Sequence, residues 1–76
     1  MSKDVNDWIT IGTQLIAARD AAGLSQYQLA KQTGLSRSTV ARVEGGQPIA
    51  LTNLTAITQA LGGKLEVAVS FGDESF

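Results

Sequence analysis

Arg37, Ser38 and Arg42 lie within six residues of one another, between Ser36 and the glycine pair Gly45-Gly46. At helical spacing they share one face, and Ala41 between them is too small to obstruct it. Arginine can donate two hydrogen bonds to O6 and N7 of guanine, and serine can contact any base edge. Ser25, Gln26 and Ser36 add hydroxyl and amide groups at positions that read as helix N-termini, where free backbone N–H groups suit phosphate. The chemistry implied is recognition of duplex nucleic acid. Each arginine also has a plainer use, a phosphate contact without base reading. The inventory for catalysis is poor. With neither histidine nor cysteine, the chain lacks the commonest bases, thiol nucleophiles and zinc ligands. It also has no G-x-x-x-x-G-K-[ST] phosphate loop. Asp4, Asp7, Glu66, Asp73 and Glu74 sit at the two ends and form no recognisable catalytic pair. No enzymatic activity, cofactor or metal is expected.

The elements that must position these side chains follow from hydrophobic period and punctuation. From Asp7 to Ala22, Ile11, Leu15, Ala18 and Ala22 recur at helical spacing, with Gly23 as the stop. Ser25 and Gln28 form a capping-box pattern opening a short helix, Gln26–Thr33, which Gly34 ends. Ser36 caps a second short helix, Arg37–Glu44. A loop, Gln47-Pro48-Ile49-Ala50, leads to a fourth helix over about Thr52–Leu61, with Leu54, Ile57 and Leu61 on one face. Two short helices joined by a glycine turn have helix-turn-helix proportions. Ala30 is small where the two must approach, and Leu29, Leu35, Val40 and Val43 are placed to face inward.

After Gly62-Gly63 the period becomes two: Leu65, Val67, Val69 and Phe71 alternate with Lys64, Glu66, Ala68 and Ser70. This predicts one strand, whose backbone must find a partner outside the rest of the chain or fold back on the helices. A 76-residue chain of mean hydropathy +0.07 is one small domain. The expected division is a helical domain over 1–63, a strand over 64–71 and a tail over 72–76. Residues 8–63 carry four cationic against two acidic side chains, a charge of +2, and the flanks carry −3. The mildly basic centre leaves nucleic acid open as a partner. No apolar run approaches the ~20 residues of a membrane span, and Met1–Asp7 is too polar for a signal peptide, so no membrane is expected and the cytoplasm is the expected location.

The run from Leu15 to Gly62 resembles the helix-turn-helix of phage Cro and repressor proteins, the XRE family. The matching residues are Arg19, Gly23-Leu24-Ser25-Gln26, Leu29-Ala30, Thr33-Gly34, Val40, Val43-Glu44, Gly46 and Ala60-Leu61-Gly62. The resemblance implies a mainly α, lambda-repressor-like domain of four to five helices. It also implies a buried ion pair between Arg19 and Glu44, a phosphate contact by Gln26, and base reading by Arg37, Ser38 and Arg42. The Gln47–Asn53 loop, often basic in phage repressors, is uncharged here, so contacts there fall to Gln47, Thr52, Asn53 and backbone amides.

A helix-turn-helix followed by one apolar-alternating strand is similar to the HipB antitoxins of HipA-kinase toxin–antitoxin modules, although other small repressors also dimerise through added strands. That similarity implies a homodimer closed by Leu65, Val67, Val69 and Phe71, a near-palindromic operator, autorepression and a HipA-like kinase as partner. Trp8, Ile16 and Phe76 are then the toxin-contact candidates. Trp8 also suits packing beneath a dimer lid, and Phe76 suits a frayed tail. Two other classes stay open: a stand-alone repressor of phage or restriction–modification type, and a protein-interaction module that does not bind DNA.

Overall fold

In the computed structural model, residues 7–69 and 71 are described. Four helices account for the regular structure among them: α1 (Trp8–Ala21), α2 (Gln26–Thr33), α3 (Arg37–Glu44) and α4 (Leu51–Ala60). The side-chain oxygen of Asp7 accepts from the Thr10 N–H at 3.1 Å and starts α1. The Ser25–Gln28 box is reciprocal: Ser25 Oγ accepts from the Gln28 N–H at 3.0 Å, and Gln28 Oε1 accepts from the Ser25 N–H at 2.8 Å. The α2–α3 turn passes through Gly34 at φ 74°, a left-handed conformation that costs glycine little. There the Leu35 N–H bonds back to the Ala30 carbonyl at 3.1 Å, closing the end of α2.

Seven apolar side chains form the core: Leu15, Leu29, Ala30, Val40, Val43, Leu54 and Ile57, drawn from all four helices. Helix α3 packs on both α1 and α2, and α2 also packs on α4. The inward set differs from the expected one at five positions, of which Ile11 and Ala18 are half-buried on α1. Leu35 is only half-buried, at the turn. Ala22 is exposed, because it caps α1 rather than continuing its apolar stripe. Leu61 lies one residue past the end of α4 and is half-buried. The buried positions of α1 are Gly12 and Leu15. A Cβ at Gly12 would stand 2.6 Å from the Val43 carbonyl oxygen and 2.7 Å from that of Glu44. The bare glycine thus lets α1 rest directly on the C-terminal backbone of α3.

Within the described residues, 63–69 and 71 have no regular secondary structure. Among the described residues, the alternating segment expected as a strand finds no ladder partner. Strand structure is defined by pairing, and those residues offer no second strand. Leu65 is half-buried against the core, whereas Val67, Val69 and Phe71 are 60%, 73% and 79% exposed. The tail over 72–76, with Phe76, lies outside the described residues.

Candidate nucleic-acid interface

Helix α3 is amphipathic in a manner its sequence dictates. Val40, Val43 and Glu44 are buried, and Arg37, Ser38, Ala41 and Arg42 are exposed together on the opposite side. Its start is fixed by hydroxyls. Ser36 Oγ accepts from the Thr39 N–H at 3.1 Å and lies 3.1 Å from Ser38 Oγ and 2.9 Å from Thr39 Oγ1. Among the described residues, neither Arg37 nor Arg42 has a carboxylate partner. Arg42 Nε donates only a long bond, 3.4 Å, to Gln47 Oε1 on the surface. Both guanidiniums thus stand exposed on one helix, without a carboxylate partner among the described residues. A convex, cationic face of this kind is what a major groove admits.

The helix is held in place from behind by a polar network. Arg19 Nε donates to Glu44 Oε2 at 2.6 Å, and Arg19 Nη2 donates to Oε1 at 3.0 Å, a two-pronged pair joining α1 to α3. Arg19 Nη1 donates to the Leu24 carbonyl at 2.8 Å and lies 3.5 Å from Asp20. Gln26 Nε2 completes the cluster by donating to Glu44 Oε1 at 2.9 Å. Burial alone would push the Glu44 carboxyl up. The hydrogen bonds from Arg19 and Gln26 and the Arg19 charge outweigh it and hold the group below its ordinary 4.5. The same bond to Glu44 raises the Arg19 pKa against its own desolvation.

The remaining sequence-predicted residues are placed unevenly. Gln26 faces Glu44, so a phosphate there would meet its second amide proton or the backbone N–H at the start of α2. Gln47 is exposed beside Arg42, and Thr52 and Asn53 lie in the first turn of α4. That helix begins at Ala50 without any side-chain cap, which leaves the Leu51 and Thr52 N–H groups unclaimed by side chains. Trp8 and Ile16 on α1 are half-buried. Ile9, on the same helix, is exposed, and two further exposed features were not singled out by sequence: Leu51, and Tyr27 with Lys31 Nζ 5.8 Å from its ring centroid. Tyr27 and Lys31 stand four apart on α2, a spacing that could have marked them as neighbours. Among the described residues there is no group of three or more histidine, cysteine, aspartate or glutamate side chains able to hold a metal ion. None of their helices is long and apolar enough to cross a membrane.

Comparison with known proteins agrees with this geometry. No curated protein sequence matches the chain. Among solved structures, the restriction-modification controller protein C.AhdI from Aeromonas hydrophila is 39% identical, with a TM-score of 0.71 over 76% of this chain and 89% of that one. A chain of the HipA-HipB-O2-O3 complex superposes with a TM-score of 0.74 over 92% of this chain and 100% of that one, at 20% identity. A structure described as MDT Protein gives the same values. At that identity the last two report a shared fold. The helix-turn-helix family model matches residues 15–67, which contain the whole core, the Arg19–Glu44 pair and the exposed face of α3. The chain belongs to the helix-turn-helix family of DNA-binding regulators.

Proposed function

We propose that the protein is a homodimeric, sequence-specific transcriptional repressor that reads operator DNA through α3. The observation that carries this is the exposed pair Arg37 and Arg42 on a helix anchored from behind by Arg19, Gln26 and Glu44. Arg37, Ser38 and Arg42 read base edges in the major groove. Ser36, Gln26, Gln47, Thr52 and Asn53 hold phosphates with side chains and helix-terminal amides. The segment over 64–71 pairs with its copy and sets two recognition helices about one turn of DNA apart, ~10 bp, on a near-palindrome.

Two biological settings fit this mechanism. The 39% identity to a restriction-modification controller favours a free-standing regulator with no protein client. The exposed apolar surface at Ile9, beside half-buried Trp8 and Ile16, favours an antitoxin whose client is a HipA-like kinase. The test is binding to the DNA flanking its own gene, measured by fluorescence anisotropy across a salt series. Tight binding to one near-palindrome that weakens with salt is the expected result. Absence of salt-sensitive binding to any duplex would overturn the proposal and leave a protein-interaction module. Affinity capture from native cells separates the two settings: a near-stoichiometric kinase marks the antitoxin, and self-association with DNA alone marks the free-standing regulator.

A further inference from the structure

Leu65, Val67, Val69 and Phe71 pose a problem that a single chain leaves unsolved. Their period of two would place them on one face of an extended segment, yet among them only Leu65 is packed against the core, and Phe71 is 79% exposed. Leu65 lines two adjoining hollows. One, of about 230 Å³, is also bounded by Ile11, Leu15, Ala18, Leu54 and Leu61. The other, of about 170 Å³, lies against Trp8, Leu51 and Val67. An extended chain advances ~3.3 Å per residue, so in an extended segment Phe71 would stand roughly 20 Å beyond Leu65, out of reach of those hollows.

Symmetry narrows what can cover them. This inference rests on the proposed dimer, in which the segment pairs antiparallel with its own copy. Residues directly opposite in an antiparallel ladder project to the same face. A two-fold axis normal to the ladder keeps each residue on the same face as its copy. Alternation then requires opposed residues to share parity, so the axis must pass through a residue and not between two. A ladder centred on Glu66 would put two carboxylates directly opposite, which is unfavourable. Centring on Val67 sets Phe71 against Gly63, and centring on Val69 sets Leu65 against Asp73. Centring on Ala68 pairs Leu65 with Phe71 and Val67 with Val69, so all four apolar side chains meet apolar partners. It also separates the two Glu66 carboxylates by four residues along the ladder, roughly 13 Å.

We infer that the dimer axis passes through Ala68 and that the partner's Phe71 seats beside Leu65, over the hollows between α1 and α4. The occupant of that surface is a second copy of this chain. Each helical domain is closed by an aromatic ring supplied by the other, so the ladder clasps the two domains and does not merely tether them.

The chain has no cysteine, which makes the register directly readable. Only a residue on the axis faces its own copy, at a Cα separation that a disulfide spans. Single variants L65C, E66C, V67C, A68C and V69C of the full chain are oxidised at a concentration where light scattering reports the dimer. The expected result is fastest and most complete covalent dimer for A68C, a small, exposed-to-exposed change that leaves the fold intact. Fastest cross-linking at any other position, or none at all in a dimeric protein, overturns the register. A monomeric wild-type chain at high micromolar concentration overturns the dimer itself, a separate failure. F71A supplies an independent check. Its dimer dissociation constant should rise about tenfold or more through lost apolar burial, with the helical circular dichroism unchanged. An unchanged constant would show that Phe71 does not seat on the partner.

Discussion

At the scale of single residues, the cationic side chains divide by what they face. Arg19 is spent on structure, since Glu44 and the Leu24 carbonyl take its donors. Among the described residues Arg42 has only the long bond to Gln47, and its guanidinium is exposed to an external partner. Arg42→Ala should therefore weaken operator binding by about 1–3 kcal/mol and binding to random duplex much less, as anisotropy on the two DNAs would show. Equal losses on both would mark a phosphate contact. Glu44→Ala removes the carboxylate that Arg19 and Gln26 share and should destabilise the fold by about 3 kcal/mol or more in urea titration. The pH dependence has a defined sign. The Glu44 carboxyl is held below its ordinary 4.5, so its stabilisation is fully present above that value and is lost as pH falls through the lowered one. The gap in melting temperature between wild type and Glu44→Gln should be widest near neutrality and shrink in acid. A gap independent of pH would mean that the carboxylate charge contributes nothing.

At the scale of elements, the position of α3 is set by how closely α1 approaches it. Arg19 spans the two helices, and seven residues earlier Gly12 allows backbone contact with Val43 and Glu44. Gly12→Ala would push a methyl into two carbonyl oxygens, 2.6 and 2.7 Å away, which belong to backbone and have little freedom to yield. The expected cost is about 1–3 kcal/mol in denaturant titration, with weaker operator binding because α3 is displaced. A neutral substitution would show that the α1–α3 seam is loose. The caps of α2 and α3 were legible as Ser25, Gln28 and Ser36, since capping is a matter of a few adjacent residues. Gly12 was not legible, because nothing local separates a glycine that meets another helix from one that merely weakens its own.

At the scale of the whole molecule, the helical unit has a buried core of its own and the segment after it has none. Its core closes around Leu29, Val40, Val43 and Ile57, each fully buried. Val67, Val69 and Phe71 remain exposed, an unpaired apolar edge of the type that invites association. Val67→Asp should convert the proposed dimer to monomer at micromolar concentration and reduce operator affinity with it, while leaving the helical circular dichroism at room temperature nearly unchanged. Light scattering on the variant is the check. A persistent dimer would place the interface elsewhere on the molecule.

The sequence by itself determined the four helices to within about a residue at each end, the turn at Gly34 and the amphipathic division of α3. These depend on period, caps and glycine, all of which act over a few residues. It also marked the exposed arginines, because a cation on the polar side of a short helix has nowhere to go but solvent or a partner. Tertiary structure alone decided that Gln26 joins Arg19 in holding Glu44, a meeting across 18 and 25 residues that no local pattern encodes. It likewise decided which face of α1 is buried. The apolar stripe points to Ile11, Leu15, Ala18 and Ala22, but close helix packing selects Gly12 and Leu15. The alternating segment is the reverse case. Its period is plain in the sequence, yet a strand exists only when a second strand pairs with it, and the described residues supply none.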